Sequence, residues 1–204
     1  HQRMIDEAAL PDGAGRSEQA RAIAETLVAS GYEQIGLDHF ALPGDDLALA
    51  QAAGKLRRNF QGYTTDDCET LIGFGASAIG RTAAGYVQNE VPLGLYADHI
   101  RSGRFATTKG YRLTTEDRLR AEIIERLMCD LQADIPDICA RHGFEPARLL
   151  DGNGMLDALV RDSVLDVAGG IVRLRGEHRF LVRAAAAAFD AYVGASPRPH
   201  GKAA

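Results

Sequence analysis

The sequence has no tryptophan, only three cysteines and no long apolar run. A helix that crosses a bilayer needs about 20 consecutive apolar residues, so we expect a protein that is not inserted in a membrane. Positive charge is not in excess either, since 23 Lys and Arg stand against 28 Asp and Glu. A protein that binds nucleic acid mainly through phosphates has the opposite balance, so we expect no nucleic-acid partner.

The cysteines Cys68, Cys129 and Cys139 are an odd number at wide spacings. This pattern is neither a disulfide framework nor a closely spaced set of metal ligands. Cys129 and Cys139 are flanked by apolar residues, where a thiol behaves as a small hydrophobic group. We therefore expect reduced cysteines in a cytoplasmic protein.

The N-terminus lacks the basic segment followed by an apolar segment that marks a secretory signal peptide. The 204-residue chain starts at His1, with Met4 close behind. We interpret it as a fragment of a longer protein and expect it to be monomeric. Its length is typical of one large domain or two small ones.

Residues 1–91 combine helix and strand signals and are predicted to form a first, α/β domain. The predicted elements are a loop over 1–15, a helix over 17–30 capped by Ser17, a strand over 32–40, a helix over 46–53, a polar stretch over 55–65 and a strand over 86–91. In the segment over 71–80, Gly73, Gly75 and Ser77 would share one face of a strand. Such small residues indicate close approach by a ligand or another backbone, or tight packing of a helix.

Residues 92–193 are predicted to form a second domain that is mainly helical. Pro92 is expected to begin a helix through Ile100, and Thr114 or Thr115 to cap a helix whose residues Leu119, Ile123, Leu127 and Leu131 recur every four positions. Further helices are predicted over 136–142, 146–150, 155–162 and 177–193, a hairpin that turns at Gly169 and Gly170, and a disordered tail over 194–204. Helices followed by a β wing are typical of a winged-helix domain.

Three sequence blocks carry a specific resemblance. Asp38-His39-Phe40-Ala41, Asn59-Phe60-Gln61-Gly62-Tyr63-Thr64-Thr65 and Gly73-Phe74-Gly75-Ala76-Ser77-Ala78-Ile79 follow one another in this order. In order and spacing they resemble the oxygen-independent coproporphyrinogen III oxidases of the radical S-adenosylmethionine superfamily. The related haem-chaperone-like branch usually has a Tyr-Trp pair, whereas this chain has no tryptophan and has Phe60-Gln61-Gly62.

The resemblance implies the C-terminal part of a partial (βα) radical-SAM barrel, followed by a helical, winged-helix-like domain. It implies an enzyme that converts coproporphyrinogen III to protoporphyrinogen IX by removing two propionate carboxylates as carbon dioxide. The cofactors implied are a [4Fe–4S] cluster and S-adenosylmethionine, with an electron donor as partner. The family's cluster ligands lie at C-x3-C-x2-C spacing, which this sequence lacks, so we expect no metal site in the chain and no activity of the chain alone.

The resemblance also suggests site residues. Phe60, Gln61 and Ile79 align with positions that contact S-adenosylmethionine in the family. Arg57 and Arg58 could bind a substrate carboxylate, and Tyr63 could face the site. The alternatives are that these residues belong to the core or to a solvated loop, and that His39 has a structural role.

Two other functions stay open at this point. A non-enzymatic haem-binding relative would share the same fold. A winged-helix module could bind nucleic acid, although residues 112–204 carry 13 Lys or Arg and 14 Asp or Glu, which does not favour a groove-binding surface.

Overall fold

The computed structural model describes residues 9–193 of the chain. The helices are α1 (Gly13–Ala29), α2 (Asp46–Ala52), α3 (Leu93–Arg101), α4 (Thr115–Asp130), α5 (Ile135–His142), α6 (Ala147–Leu150), α7 (Gly154–Arg161) and α8 (Val182–Ala187), with a 3-10 helix over Gly176–Leu181. The strands are β1 (Glu33–Ile35), β2 (His39–Ala41), β3 (Arg57–Asn59), β4 (Gly62–Thr64), β5 (Ile79–Thr82), β6 (Gly85–Asn89), β7 (Thr107–Arg112), β8 (Gln132–Asp134), β9 (Leu165–Ala168) and β10 (Ile171–Leu174). The predicted order, α/β elements followed by mainly helical ones, is confirmed.

All strand pairs among the described residues are antiparallel. They form the two-stranded sheets β1–β2 and β3–β4 and the three-stranded sheets β5–β6–β7 and β8–β10–β9. The predicted single strand over 32–40 is wrong, because the chain turns back and Glu33 pairs with Ala41. Gly36 lies in this turn with φ +54°, a conformation that glycine adopts without steric cost.

The start of α1 also differs from the prediction. The helix begins at Gly13, since the side chain of Asp12 accepts a hydrogen bond from the Gly15 amide at 2.8 Å. Ser17 lies inside the first turns, and its hydroxyl donates to the Gly13 carbonyl instead. Aspartate and serine are both good N-caps, so the local sequence does not decide between them.

The segment over 71–80 is mostly a loop that folds back on β5. Leu71 forms an isolated bridge with Arg81, and a Cβ atom placed on Gly73 would lie 2.8 Å from the Ile79 carbonyl oxygen. A Cβ atom on Gly80 would lie 2.9 Å from the Leu71 carbonyl oxygen. The small residues here therefore accommodate another stretch of backbone rather than a packed helix.

Helix α4 begins as predicted. Thr114 forms a capping box with Asp117, in which each side chain bonds the other residue's backbone amide, the arrangement that satisfies two free amides of a helix start. Three of the four predicted apolar positions, Leu119, Ile123 and Leu127, are fully buried, whereas Leu131 is partly buried and ends the helix in a left-handed conformation. The start of α3 differs slightly from the prediction, since Pro92 is the N-cap of this helix and not its first residue.

The C-terminal half has the winged-helix outline that the sequence predicts. Helix α4, strand β8 and helices α5–α7 precede the β9–β10 hairpin, which turns at Gly169 (φ +59°) and Gly170 (φ +80°). The predicted single helix over 177–193 is wrong, since a 3-10 helix and the short α8 replace it. His178 leaves helical geometry there, and Arg179 donates to the Gln34 carbonyl at 3.0 Å, a distant contact that an alanine-rich sequence cannot reveal. The predicted disordered tail, 194–204, lies outside the described residues.

Two groups of buried residues form the core. The larger group is built from α4, α5, α7, α8 and the β8–β10–β9 sheet, while the smaller lies beneath β1–β2 and β3–β4 and contains Ile35, Leu56 and Tyr63. Helix α4 contributes Leu119 and Ile123 to the larger group and Cys129 to the smaller one. This helix therefore joins the two parts of the chain. The boundary at residues 91 and 92 stays a prediction.

The three cysteines have unequal accessibility. Cys68 is exposed, whereas Cys129 and Cys139 are buried. Burial raises the pKa of Cys129 to about 12 and also raises the pKa of Cys139, and thiols react as thiolates. We therefore expect iodoacetamide to label one cysteine in the native protein and three after denaturation, as counted by intact mass. Labelling of Cys129 at the rate of Cys68 would contradict the packing described here.

No helix of the described residues has the length and apolar character needed to cross a membrane.

Candidate cofactor-binding site

The β3–β4 hairpin presents Phe60 and Gln61 at its tip. Strands β3 and β4 pair from Arg57 opposite Thr64 to Asn59 opposite Gly62, which leaves Phe60 and Gln61 as the connecting residues. The Asn59 side chain accepts a hydrogen bond from the Gln61 amide at 2.8 Å, and Gly62 has φ +141°. Both side chains at the tip are exposed, Phe60 by 54%, so a ligand could reach them.

Tyr63 lies on the same hairpin but points into the smaller core group. Its hydroxyl accepts a hydrogen bond from the Leu37 amide and donates one to the Met128 carbonyl, each at 2.9 Å. Burial raises the pKa of Tyr63, although the Leu37 hydrogen bond partly offsets the effect. This geometry favours the packing alternative over a hydroxyl that faces a ligand.

The two arginines of β3 have different surroundings. Arg57 forms an ion pair with Glu125 of α4 at 3.2 Å. Arg58 places its guanidinium over the Tyr63 ring, 5.3 Å from the centroid, a cation–π geometry. Among the described residues no carboxylate pairs with Arg58, and its buried Nε has no hydrogen-bond partner. Of the two arginines of β3, Arg58 is therefore the one whose charge no described carboxylate neutralises.

Ile79 and Phe60 lie on one side of the β5–β6–β7 sheet. Ile79 is directly opposite Gln88, and Arg81 is directly opposite Tyr86, so these four side chains share a face of the sheet. The Phe60 ring meets the Tyr86 ring edge to face, with centroids 5.3 Å apart. Two sequence blocks that are distant along the chain thus converge on this face. Sequence reasoning missed Tyr86, which has no local signal that distinguishes it from an ordinary strand residue.

The opposite face of the same sheet borders a cavity. About 430 Å³ in volume, it lies between the sheet and α3 and is lined by residues that include Gly80, Val87, Asn89 and Tyr96. Gly80 and Val87 alternate with Ile79 and Tyr86 along their strands, so their side of the sheet is not the side of Phe60. This cavity is therefore separate from the face that carries Phe60 and Ile79.

His39 begins β2 beside the hairpin. Its Nδ1 lies 2.9 Å from a carboxylate oxygen of Asp38, and its ring packs edge-on against Tyr63 at 5.0 Å between centroids. A Cβ atom on Gly62 would come within 3.2 Å of the His39 Nε2. These contacts are those of a histidine that supports the hairpin.

The three cysteines lie too far apart in the fold to hold an iron–sulfur cluster together. Three thiolates must converge on such a cluster, but Cys129 lies in the smaller core group, Cys139 in the larger one and Cys68 on the surface. Within residues 9–193 the only convergent group of potential ligands is the exposed set Asp66, Asp67 and Cys68, which contains one thiol. The described cysteines do not fit a [4Fe–4S] cluster.

Comparison with known proteins agrees with the resemblance in sequence. No family model matches the chain. The chain is 55% identical over 203 residues to the oxygen-independent coproporphyrinogen III oxidase of Bradyrhizobium diazoefficiens. The aligned region covers 100% of this chain and 45% of that protein. The corresponding protein of Paracoccus denitrificans is 45% identical over 191 residues, covering 94% of this chain and 42% of the relative.

A solved structure is similar as well. The coproporphyrinogen III oxidase HemN from Escherichia coli, described as a radical SAM enzyme, superposes with a TM-score of 0.85 at 34% identity, over 94% of this chain and 44% of that one. The chain thus spans less than half the length of the relatives just named. Since sequence and structure agree along nearly its whole length, the chain belongs to the oxygen-independent coproporphyrinogen III oxidases and matches their C-terminal part.

Proposed function

We propose that the chain acts as the C-terminal part of an enzyme that converts coproporphyrinogen III to protoporphyrinogen IX without oxygen, removing two propionate carboxylates as carbon dioxide. Within that enzyme, Phe60, Gln61 and Ile79 form part of the wall around S-adenosylmethionine. The observation that carries this proposal is the placement of Phe60 and Ile79 on one side of the β5–β6–β7 sheet.

The three residues have the chemistry that S-adenosylmethionine requires. The Phe60 ring and the Ile79 side chain offer apolar surface to the adenosyl group, and the Gln61 amide offers a donor and an acceptor. Among the described residues the Gln61 side chain has no hydrogen-bond partner, since its contact with Asn59 uses the backbone amide. When bound, S-adenosylmethionine supplies the radical chemistry of the reaction, and these residues bind and orient it.

The iron–sulfur cluster needs ligands from elsewhere. The three cysteines of the chain do not converge. We therefore place the cluster and the site for its electron donor in the part of the relatives that does not align with this chain. The relatives, more than twice as long, have room for that part. We accordingly expect the chain by itself not to oxidise coproporphyrinogen III.

Arg58 is the arginine that the geometry favours for the substrate. Coproporphyrinogen III carries four carboxylates, and a guanidinium binds carboxylates with two parallel hydrogen bonds. Arg57 is already paired with Glu125, whereas Arg58 has no carboxylate partner among the described residues. We propose that Arg58, rather than Arg57 or the buried Tyr63, contacts a substrate propionate.

The proposed cofactor wall is tested by Gln61→Ala and Ile79→Ala in the full-length enzyme. Each substitution should weaken S-adenosylmethionine binding about tenfold, since each removes a hydrogen bond or several buried carbon atoms. The measurement is the dissociation constant by equilibrium dialysis. Gln19→Ala and Ile23→Ala, two exposed positions on α1, are matched controls that should leave the constant unchanged. Equal affinity in all four variants would contradict the proposal.

The haem-binding alternative predicts a different result. A non-enzymatic relative would change the absorbance spectrum of haem on titration and would not decarboxylate coproporphyrinogen III in its full-length form. No contact among the described residues favours that alternative. The nucleic-acid alternative is not favoured either. Helix α7 precedes the wing hairpin and carries Arg161 as its only basic residue.

A further inference from the structure

The hairpin that carries Phe60 and Gln61 cannot hold its own position. Strands β3 and β4 have three residues each and pair only with each other among the described strands. A two-stranded hairpin of this kind is at best marginally stable by itself. The place of its tip must therefore depend on contacts with other elements.

Besides His39 and Tyr86, helix α4 supplies such contacts. The carboxylate of Glu125 accepts hydrogen bonds from the Arg58 amide and from the Arg57 guanidinium, both at 3.2 Å. The Met128 carbonyl accepts from the Tyr63 hydroxyl at 2.9 Å. Arg126 donates to the Leu56 carbonyl, just before β3, also at 2.9 Å. Three residues of one helix thus contact both strands of the hairpin, below the tip that carries Phe60 and Gln61.

The same helix also reaches the hairpin that carries Ile79. Arg118 donates to the carbonyl of Ala83, in the turn between β5 and β6, at 2.5 Å. Just before the helix, the Leu113 amide donates to the Ala84 carbonyl at 3.1 Å. Positions 118 and 125 are about two helical turns, or roughly 10 Å, apart along the axis. One rigid element therefore contacts both hairpins of the proposed cofactor wall.

Helix α4 is well suited to keep that spacing constant. Its first turn is fixed by the capping box of Thr114 and Asp117, and Asp117 also accepts a hydrogen bond from the Tyr192 hydroxyl at 2.6 Å. Its inner face is packed in both core groups. A helix held at its start and along its buried face has little freedom to shift.

We infer that α4 is a positioning element for the cofactor site, with Glu125 and Arg118 as its positioning residues. Glu125 sets the place of Phe60 and Gln61, Arg118 sets the place of the hairpin of Ile79, and the helix between them fixes the distance across the site. The inference rests on the proposed function of those three residues. This inference assigns the winged-helix-like part of the chain a role that does not involve nucleic acid.

The test compares two glutamates of the same helix in the full-length enzyme. Glu125→Ala removes both contacts to the hairpin, whereas Glu116→Ala removes ion pairs with Arg120 and Arg148 and touches neither hairpin. Glu125→Ala should weaken S-adenosylmethionine binding about tenfold, because hydrogen bonds to a charged acceptor are lost. It should also speed amide hydrogen exchange in the segment over 57–64, measured by mass spectrometry.

Two further variants separate positioning from general stability. Glu125→Gln keeps an acceptor oxygen for the Arg58 amide and should restore most of the affinity. Arg118→Ala should weaken binding while leaving exchange in the segment over 57–64 unchanged. Dissociation constants are compared well below the melting temperature of every variant, where a loss of stability alone does not change the affinity.

The possible outcomes are distinct. If Glu125→Ala and Arg118→Ala bind S-adenosylmethionine as tightly as Glu116→Ala does, while Gln61→Ala binds weakly, the positioning inference is wrong and the proposed cofactor wall stands. If Gln61→Ala and Ile79→Ala also bind normally, the wall itself is wrong, and the inference is overturned with it.

Discussion

Replacing Gly36 with alanine is expected to lower the free energy of unfolding by about 3–5 kcal/mol, since it combines overpacking with lost hydrogen bonds. A Cβ atom at Gly36 would overlap the Tyr63 ring. The ring cannot move aside without breaking its hydrogen bonds to Leu37 and Met128. Urea denaturation followed by circular dichroism measures the change.

Gly54→Ala is the matched control for this substitution. Gly54 has φ +64°, close to the φ +54° of Gly36, but no atom lies within 4 Å of its added Cβ. Gly54→Ala should therefore lower the free energy of unfolding by only about 1 kcal/mol, the cost of placing alanine in the left-handed conformation. A loss in Gly36→Ala no larger than in Gly54→Ala would show that Tyr63 is free to move, and the described support of the hairpin would be wrong.

Phe189→Ala is likewise expected to lower the free energy of unfolding by about 3–5 kcal/mol, because Phe189 belongs to the larger core group. The Phe189 side chain is fully buried after α8, and its removal leaves a cavity that surrounding side chains fill only in part. Thermal or urea denaturation of the chain measures the loss. The Phe189 substitution also tests whether the residues after α8 belong to the core despite their irregular backbone.

Phe105→Ala is the control with the same change in side chain. Phe105 is 94% exposed, so its loss should change the free energy of unfolding by no more than about 0.5 kcal/mol. Equal effects at the two positions would contradict the core assignment.

These two core predictions bear on function through helix α4. The Gly36 substitution disturbs the smaller core group, which carries the β3–β4 hairpin, and the Phe189 substitution disturbs the larger one. Because α4 belongs to both, a disturbance of either group can reach the proposed cofactor wall. Stability and cofactor affinity should therefore be measured together in each variant.

Local signals in the sequence predicted many elements correctly. The capping box at Thr114, the buried series Leu119, Ile123 and Leu127, and the glycine turn of the wing each depend on a few neighbouring residues. Such features are set by backbone geometry and by the 3.6-residue period of a helix. The family was likewise predictable, because the heptad from Asn59 to Thr65 is specific.

Sequence patterns failed in two places where one segment contacts another. Glu33 and Ala41 pair across a turn that the alternation of Ile35 and Leu37 does not indicate. The helix expected over 177–193 is replaced by a 3-10 helix and the short α8, and Arg179 there bonds Gln34 from far along the chain. In both cases a contact between segments accompanies the departure from the local preference.

By itself, the sequence determined the family, the order of α/β and helical parts, and the three residues proposed to face the cofactor. Only the tertiary structure decided that Tyr63 is buried, that Arg57 is paired while Arg58 is not, and that α4 joins the hairpins of Phe60 and Ile79. The reason is physical. A motif fixes which chemical groups are present, whereas burial and charge pairing depend on which distant segments fold against them.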